Sequence, residues 1–325
     1  MKLNNRNSQH VFSGRDPYRS VAFSWFLVAF CVLTVTGSSR LLAQDDSALF
    51  WSISRDGEQA GFLLGTIHSE DPRVLDFPLE FMANLSANQV FAMEMVPDLP
   101  TLKRLTEFMQ YQDGTTLESR VGPERFTSLQ LALSEYQVPA DWIIRMKIWA
   151  AMMTLSVPPP ETGFFMDFSL SLRAAGAGLQ VVGLETLEQQ LSFLEDMPVA
   201  QQLMLLDHAL VEHEKVREIH EQMVDSYLAG DLLALKSQAE EQLDQLEPDA
   251  KQYFMEQGID MRNRRMLESL LPHLLTSQVF VAVGALHLPG ESGLIQLLRA
   301  RGYDLTPLPF PLNVAGLAPS QESGQ

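Results

Sequence analysis

Two histidines each stand three residues beyond a glycine at the end of an apolar run: Gly65-Thr66-Ile67-His68 after GFLL, and Gly284-Ala285-Leu286-His287 after VFVAV. A strand-end imidazole is suited to proton transfer or metal ligation, because its lone pair is available near neutral pH. Glycine at the preceding position lets the backbone approach a ligand or a neighbouring strand. A third chemical group lies in VFAMEMVPD, where Glu94 is embedded in an apolar strand. An unpaired carboxylate there is costly, so it requires an arginine, a metal or a raised pKa. Arg262, in DMRNRRM, is one candidate partner. Two histidines and a glutamate at strand ends make a metal site with a position open to water. The plainer alternative is that each histidine is a hydrogen-bonded structural residue, and G-x-x-H alone is a weak motif.

Other residues invite similar scrutiny. The second run continues Pro289-Gly290-Glu291-Ser292-Gly293 into an amphipathic helix, whose N-terminus could hold an oxyanion or carboxylate beside His287. Asp167 follows aromatic residues at a helix start, where N-terminal capping is the ordinary role. Glu185 ends LQVVGLE, and Thr186 after it is placed to cap the next helix. His208, His213 and His220 lack the i, i+4 spacing of a helical zinc motif and read as a solvated acidic face.

The elements that must position these groups follow from periodicity. Strand-like runs occupy 48–54, 60–67, 90–95, 179–184, 278–284 and 303–307, with Arg55-Asp56-Gly57 as a hairpin turn making the first two antiparallel. VFAMEMV and QVFVAVGA are nearly continuous apolar stretches, the pattern of central strands covered on both faces. Pro139–Val157 reads as one buried helix ended by Pro158-Pro159-Pro160, and Met166–Ala175 as another, stopped by Gly176-Ala177-Gly178. From about 186 to 271 only helical periodicity is present, a helical cap inserted between strands of one sheet. The fold class is therefore α/β, a central mixed sheet flanked by helices with a long helical insertion, in a single domain over 44–308. The tail 309–325 is expected to be flexible.

Composition narrows the function classes. The 325 residues are 46% hydrophobic and 20% charged, as in a globular protein. Arg15 and Arg19 precede the uncharged run Val21–Gly37, and small residues follow, so 1–43 reads as a secretory signal cleaved near Ala43. An uncleaved anchor facing the periplasm is the rival reading. Cys31 is the single cysteine and lies within that run, so the mature chain offers no thiol nucleophile or ligand. Beyond residue 43 there are 18 basic and 40 acidic residues, a net charge of −22. Such a surface repels nucleic acid and anionic lipid, leaving the membrane as a partner only if the N-terminal segment is retained.

Taken together, FLLGTIHSEDPRVLDFP, VFAMEM, GFFMDFSLSLRAAGAGLQVVGLETLEQQL, RNRRM and VAVGALHLPGESGLIQLLRARGYDLTPL resemble the TraB/GumN family, which includes the Tiki metalloproteases. The resemblance runs in order from about residue 48 to 308. It implies an α/β fold of the erythromycin-esterase/ChaN-like type and a site built from His68, His287 and Glu94. The family's Arg-Asn pair falls on Arg262 and Asn263, its helix aspartate on Asp167 and its GLET glutamate on Glu185. For the Tiki branch it implies a peptidase acting on a peptide or protein, dependent on a divalent metal, manganese or cobalt rather than zinc. In that scheme His68 and His287 hold the metal, Glu94 either binds it as a further ligand or serves as general base on its water, and Arg262 stabilises an oxyanion. Leu286 stands where the family commonly has glycine, and a leucine beside the histidine is expected to narrow the site. The competing readings are a periplasmic protein that binds haem or another ligand without catalysis, or a polysaccharide-associated factor.

Overall fold

The computed structural model describes residues 46–244, 246–310 and 312; the proposed signal segment 1–43, with Cys31 and Ala43, and most of the tail lie outside them. Among the described residues six strands form one sheet: β1 (Phe50–Arg55), β2 (Glu58–Thr66), β3 (Val90–Met93), β4 (Gln180–Gly183), β5 (Val279–Gly284) and β6 (Asp304–Pro307). Their order across the sheet is β4-β3-β5-β2-β1-β6. β4, β3, β5 and β2 are mutually parallel, whereas β1 runs antiparallel to both β2 and β6. The sheet is thus mixed and flanked by helices, as the periodicity predicts. The turn between β1 and β2 places Asp56 at φ 54° and Gly57 at φ 84°, the pair of positive values a type I′ hairpin demands.

β3 and β5 are the apolar central strands, and every residue of β3 is buried. Phe280 of β5 meets Phe50, Phe62, Phe81 and Phe91 with ring centroids 5.6–6.1 Å apart, which anchors the main core. Helices Met166–Gly176, Val216–Leu228 and Met261–Thr276 contribute Leu170, Tyr227 and Met266 to it. A second hydrophobic core contains no residue of the sheet and draws on residues 117–155 as well as 193–254. The stretch 186–271 carries helices and no strand among its described residues.

Two local expectations change. Pro139–Val157 is not one helix but two, Ala140–Arg145 and Ile148–Leu155. Between them Met146 and Lys147 are extended, and Met146 bridges Gln110; the Tyr111 N–H donates to Arg145 O (2.7 Å) and the Lys147 N–H to Met109 O (2.9 Å). A tertiary pairing thus overrides a continuous helical pattern. Leu308 N–H, at the end of the domain, donates to Phe50 O at 2.9 Å, and the Phe310 ring lies 5.1 Å from Tyr227. Leu286, expected to narrow the site, is buried in the main core and serves packing. No helix of the described residues is long and apolar enough to cross a membrane.

Candidate active site at the strand ends

Four parallel strands deliver four chemical groups to one end of the sheet. Glu185 follows β4, Glu94 follows β3, His287 follows β5 and His68 follows β2, in the order in which the strands lie. The parallel pairing continues past the strand ends, with the Glu185 N–H donating to Glu94 O at 2.8 Å. Ligands of open α/β sheets bind at this carboxyl edge. Both motif glycines are explained by crowding there. A Cβ on Gly65 would lie 2.9 Å from Ala285 Cα, and one on Gly284 would lie 3.1 Å from Glu94 Oε1.

Glu94 is held by three donors. Oε1 accepts the Gly284 N–H (2.8 Å), and Oε2 accepts Arg262 Nη2 (2.6 Å) and Gln190 Nε2 (3.1 Å). Burial pushes the Glu94 carboxyl upward, but Arg262, His287 and the Gly284 N–H more than offset it and hold it down at about 2. Arg262 has no exposed surface and also binds Glu185, through Nε and Nη2 to Oε2, both at 2.8 Å. Burial pushes Glu185 above the ordinary carboxylate range despite that guanidinium. Arg262 is completely buried and holds Glu94 in place.

His287 closes the β5 end in a short turn, Ala285–His287, and is almost wholly buried. Its Nδ1–H donates to Asn263 Oδ1 at 2.7 Å, while Asn263 Nδ2 donates to Ser292 O at 2.8 Å. That second bond fixes which way the amide points, so the imidazole proton sits on Nδ1 and the Nε2 lone pair faces Glu94 Oε1, 3.8 Å away. Burial pushes the His287 pKa down to about 4, against the pull of Glu94, so the ring is neutral at pH 7. Arg262 and Asn263 are adjacent on the Met261–Thr276 helix, directly after a π-helical turn, Phe254–Asp260, of a kind that recurs at functional sites. The helix expected beside His287 is short, Leu294–Ala300, and the Ile295 N–H is taken up by Leu288 O at 3.3 Å.

His68, on the neighbouring strand end, is half exposed and belongs to a second group of contacts. Its ring stacks on Phe165 (centroids 3.8 Å, 14° between planes), and Nδ1 lies 3.9 Å from Asp167 Oδ2. Asp167 does not cap its helix; its Oδ1 accepts the Thr66 hydroxyl at 2.5 Å and ties the helix to the end of β2. Two helical residues reach the same strand end, Tyr227, which the sequence did not single out, and His220, which it read as solvated. Tyr227 is fully buried and donates its hydroxyl to Gly65 O at 2.7 Å, and His220 Nε2 lies 3.3 Å from His68 O. His208, His213 and His220 are half-buried rather than a solvated face. Burial pushes the His220 pKa down. Gln190 was also missed; it lies one turn beyond the Thr186 capping box, a local signal that fixes the direction of its helix.

Among the described residues no three His, Cys, Asp or Glu side chains are grouped as a ready metal site. The donor chemistry at the β3 and β5 ends nonetheless fits a divalent cation. A neutral imidazole presents a lone pair, its other nitrogen is anchored as metal-binding histidines require, and an ionised carboxylate oxygen lies 3.8 Å off. Two carboxylates face one guanidinium in this cluster, an arrangement that favours added positive charge.

The chain is 25% identical over 323 residues to "Metalloprotease TIKI1" of Danio rerio, covering 83% of this chain and 65% of that protein. It is 22% identical over 315 residues to "Metalloprotease TIKI homolog" of Nematostella vectensis, covering 80% of this chain and 66% of that protein. It is 25% identical over 257 residues to "Uncharacterized protein YbaP" of Escherichia coli (strain K12), covering 76% of this chain and 90% of that protein. The chain thus spans about two thirds of the length of these Tiki relatives. No solved structure matches it. The profile of the TraB/PrgY/gumN family matches residues 49–307, from β1 through β6 and every strand-end group described above, and the chain belongs to that family.

Proposed function

We propose that this chain is an exported, metal-dependent peptidase whose reacting centre is the Glu94–His287 pair with His68 on the adjacent strand. The observation that carries the reading is the 3.8 Å approach of His287 Nε2 to Glu94 Oε1, with the tautomer fixed from behind by Asn263. Two donors on one cation lie roughly 3–3.5 Å apart, so the pair needs only a small closure. A divalent cation held there, manganese or cobalt by family resemblance, would polarise a peptide carbonyl and acidify a bound water. Asn263 keeps the His287 lone pair turned inward, and Arg262, Gln190 and the Gly284 N–H keep Glu94 ionised and oriented. His68 is the third donor, and Asp167 and Phe165 set its ring. The metalloprotease names of the Tiki relatives support the reaction class, and a peptide or protein is the substrate. Residues 1–43 direct export, with cleavage near Ala43 placing the 44–308 domain in the periplasm or outside the cell.

The test uses the mature chain with Mn²⁺, Co²⁺ or Zn²⁺ in thermal melts and in a peptidase assay. Metal is expected to raise the melting temperature of the wild type by preferential binding to the native state, and by less in His68→Ala and His287→Ala. Hydrolysis is expected to require the metal and both histidines. Equal metal-induced shifts in all three proteins would overturn the shared site. A Soret band without bound divalent metal would replace the peptidase reading by haem binding.

A further inference from the structure

Glu70 lies two residues beyond His68, and its carboxylate accepts four hydrogen bonds from one short segment. Oε2 accepts the N–H groups of Glu161 (2.9 Å) and Thr162 (2.8 Å) and the Thr162 hydroxyl (3.2 Å). Oε1 accepts the Gly163 N–H at 2.7 Å. Successive backbone N–H groups converging on one anion form a nest, and here the anion comes from the chain itself. The segment is tied at its other end too, where the Tyr136 hydroxyl donates to Val157 O at 2.6 Å and Tyr136 packs against the helical core. Between the two ties stand Pro158, Pro159 and Pro160, whose fixed φ leaves few conformations. The result is a strap from the helical core to the carboxyl edge of the sheet. Two residues past its second tie comes Phe165, the ring stacked on His68 at 3.8 Å.

We propose that Glu70 is a positioning residue for His68: by occupying the 161–163 nest it holds Phe165 on the imidazole and so fixes the ring of the half-exposed histidine. The proposal rests on the reading of His68 as a site residue. The bonds are charge-assisted and therefore strong for their exposure. Without them the strap loses its tie on the near side of Phe165; the Met166 N–H bond to Ser69 O (3.0 Å) still anchors the backbone beyond it, so the Phe165 ring loosens from one side and the His68 side chain regains rotamers.

The experiment is aromatic NMR of the seven histidines of the chain, with His68→Gln assigning the His68 signals. In the wild type the His68 ring protons are expected upfield, displaced by the ring current of the stacked Phe165. Glu70→Ala should lose that displacement, as Phe165→Leu should directly. Added acetate should restore it in Glu70→Ala, by refilling the nest, and leave Phe165→Leu unchanged. Glu70→Gln keeps one acceptor oxygen and should show a partial loss, and it serves as the informative variant if Glu70→Ala fails to fold. An unchanged upfield shift in either folded Glu70 variant would overturn the proposal, as would its loss without rescue by acetate. These readings need no turnover, so an absence of hydrolysis in the wild type would sink the peptidase reading alone. Where hydrolysis is found, Glu70→Ala should lower kcat/KM, with acetate restoring it.

Discussion

Replacing Arg262 by methionine removes the cation from a cluster in which Glu94 and Glu185 both depend on it. The guanidinium donates to Glu94 at 2.6 Å and to Glu185 at 2.8 Å, with no exposed surface of its own. Methionine fills much of the same volume, so the change is chiefly electrostatic. Breaking a buried pair by removing one partner costs about 3–5 kcal/mol, a large part of the ~5–15 kcal/mol that holds a typical domain folded. The pH dependence gives the sharper test. In the wild type Arg262 helps hold Glu94 at about 2, below its ordinary 4.5, so Glu94 contributes stability above pH 4.5 that is lost as pH falls towards 2. In Arg262→Met the Gly284 N–H and Gln190 still hold Glu94, but burial and mutual repulsion of the two carboxylates lose their main counterweight, and both raise a carboxyl pKa. A raised folded pKa means stability that is present below the unfolded value and lost as pH rises through the folded one. The deficit of Arg262→Met should therefore be larger at pH 7 than at pH 5. Urea unfolding followed by circular dichroism at both pH values measures it. A deficit below about 1 kcal/mol, the scale of an exposed pair, or one equal at the two pH values, would refute the reasoning. Glu185→Gln in the Arg262→Met background should recover part of the loss.

Three further outcomes follow from the same geometry. His287 is held at about 4 against an ordinary 6.5, so the unfolded chain takes its proton first; wild-type stability should fall as pH drops from 6.5 to 4, by about 3 kcal/mol at most, and melts of His287→Gln should show a flatter slope. Tyr227→Phe leaves Gly65 O without its buried donor and should cost about 1–3 kcal/mol in a denaturant titration, a neutral result placing Gly65 O in contact with another donor. Gly284→Ala puts a Cβ about 3.1 Å from Glu94 Oε1, so it should displace that carboxylate; the metal-induced rise in melting temperature should shrink more than the melting temperature itself, and an undiminished rise would remove Glu94 Oε1 from the cation's reach.

The sequence by itself determined the six strands, the β1–β2 hairpin, the two G-x-x-H ends and the need of Glu94 for a partner. Each is a local property: apolar runs of strand length, an Asp-Gly turn, and a carboxylate that an apolar strand cannot leave unpaired. Arg262 was legible as one candidate partner, and the fold selected it from the 18 basic residues beyond residue 43. Local pattern misled where a distant segment intervened. Met146 leaves its helix because it pairs with Gln110, and His220 turns from solvent because the His68 strand end lies beneath it.

Only the tertiary structure decided the order β4-β3-β5-β2, in which the last of these strands to be made enters between two made first. Periodicity says that a strand is buried on both faces, but it carries no information on which neighbour fills each edge, because any apolar strand satisfies the backbone hydrogen bonds of any other. That order is what sets Glu94 beside His287, and it also decides which helices lie over the strand ends. Gln190, Tyr227 and Glu70 owe their roles to it: each is an ordinary polar residue in an ordinary helix or loop. They gain chemical meaning only because the packed sheet leaves a carboxylate, a carbonyl or an N–H nest for them to reach.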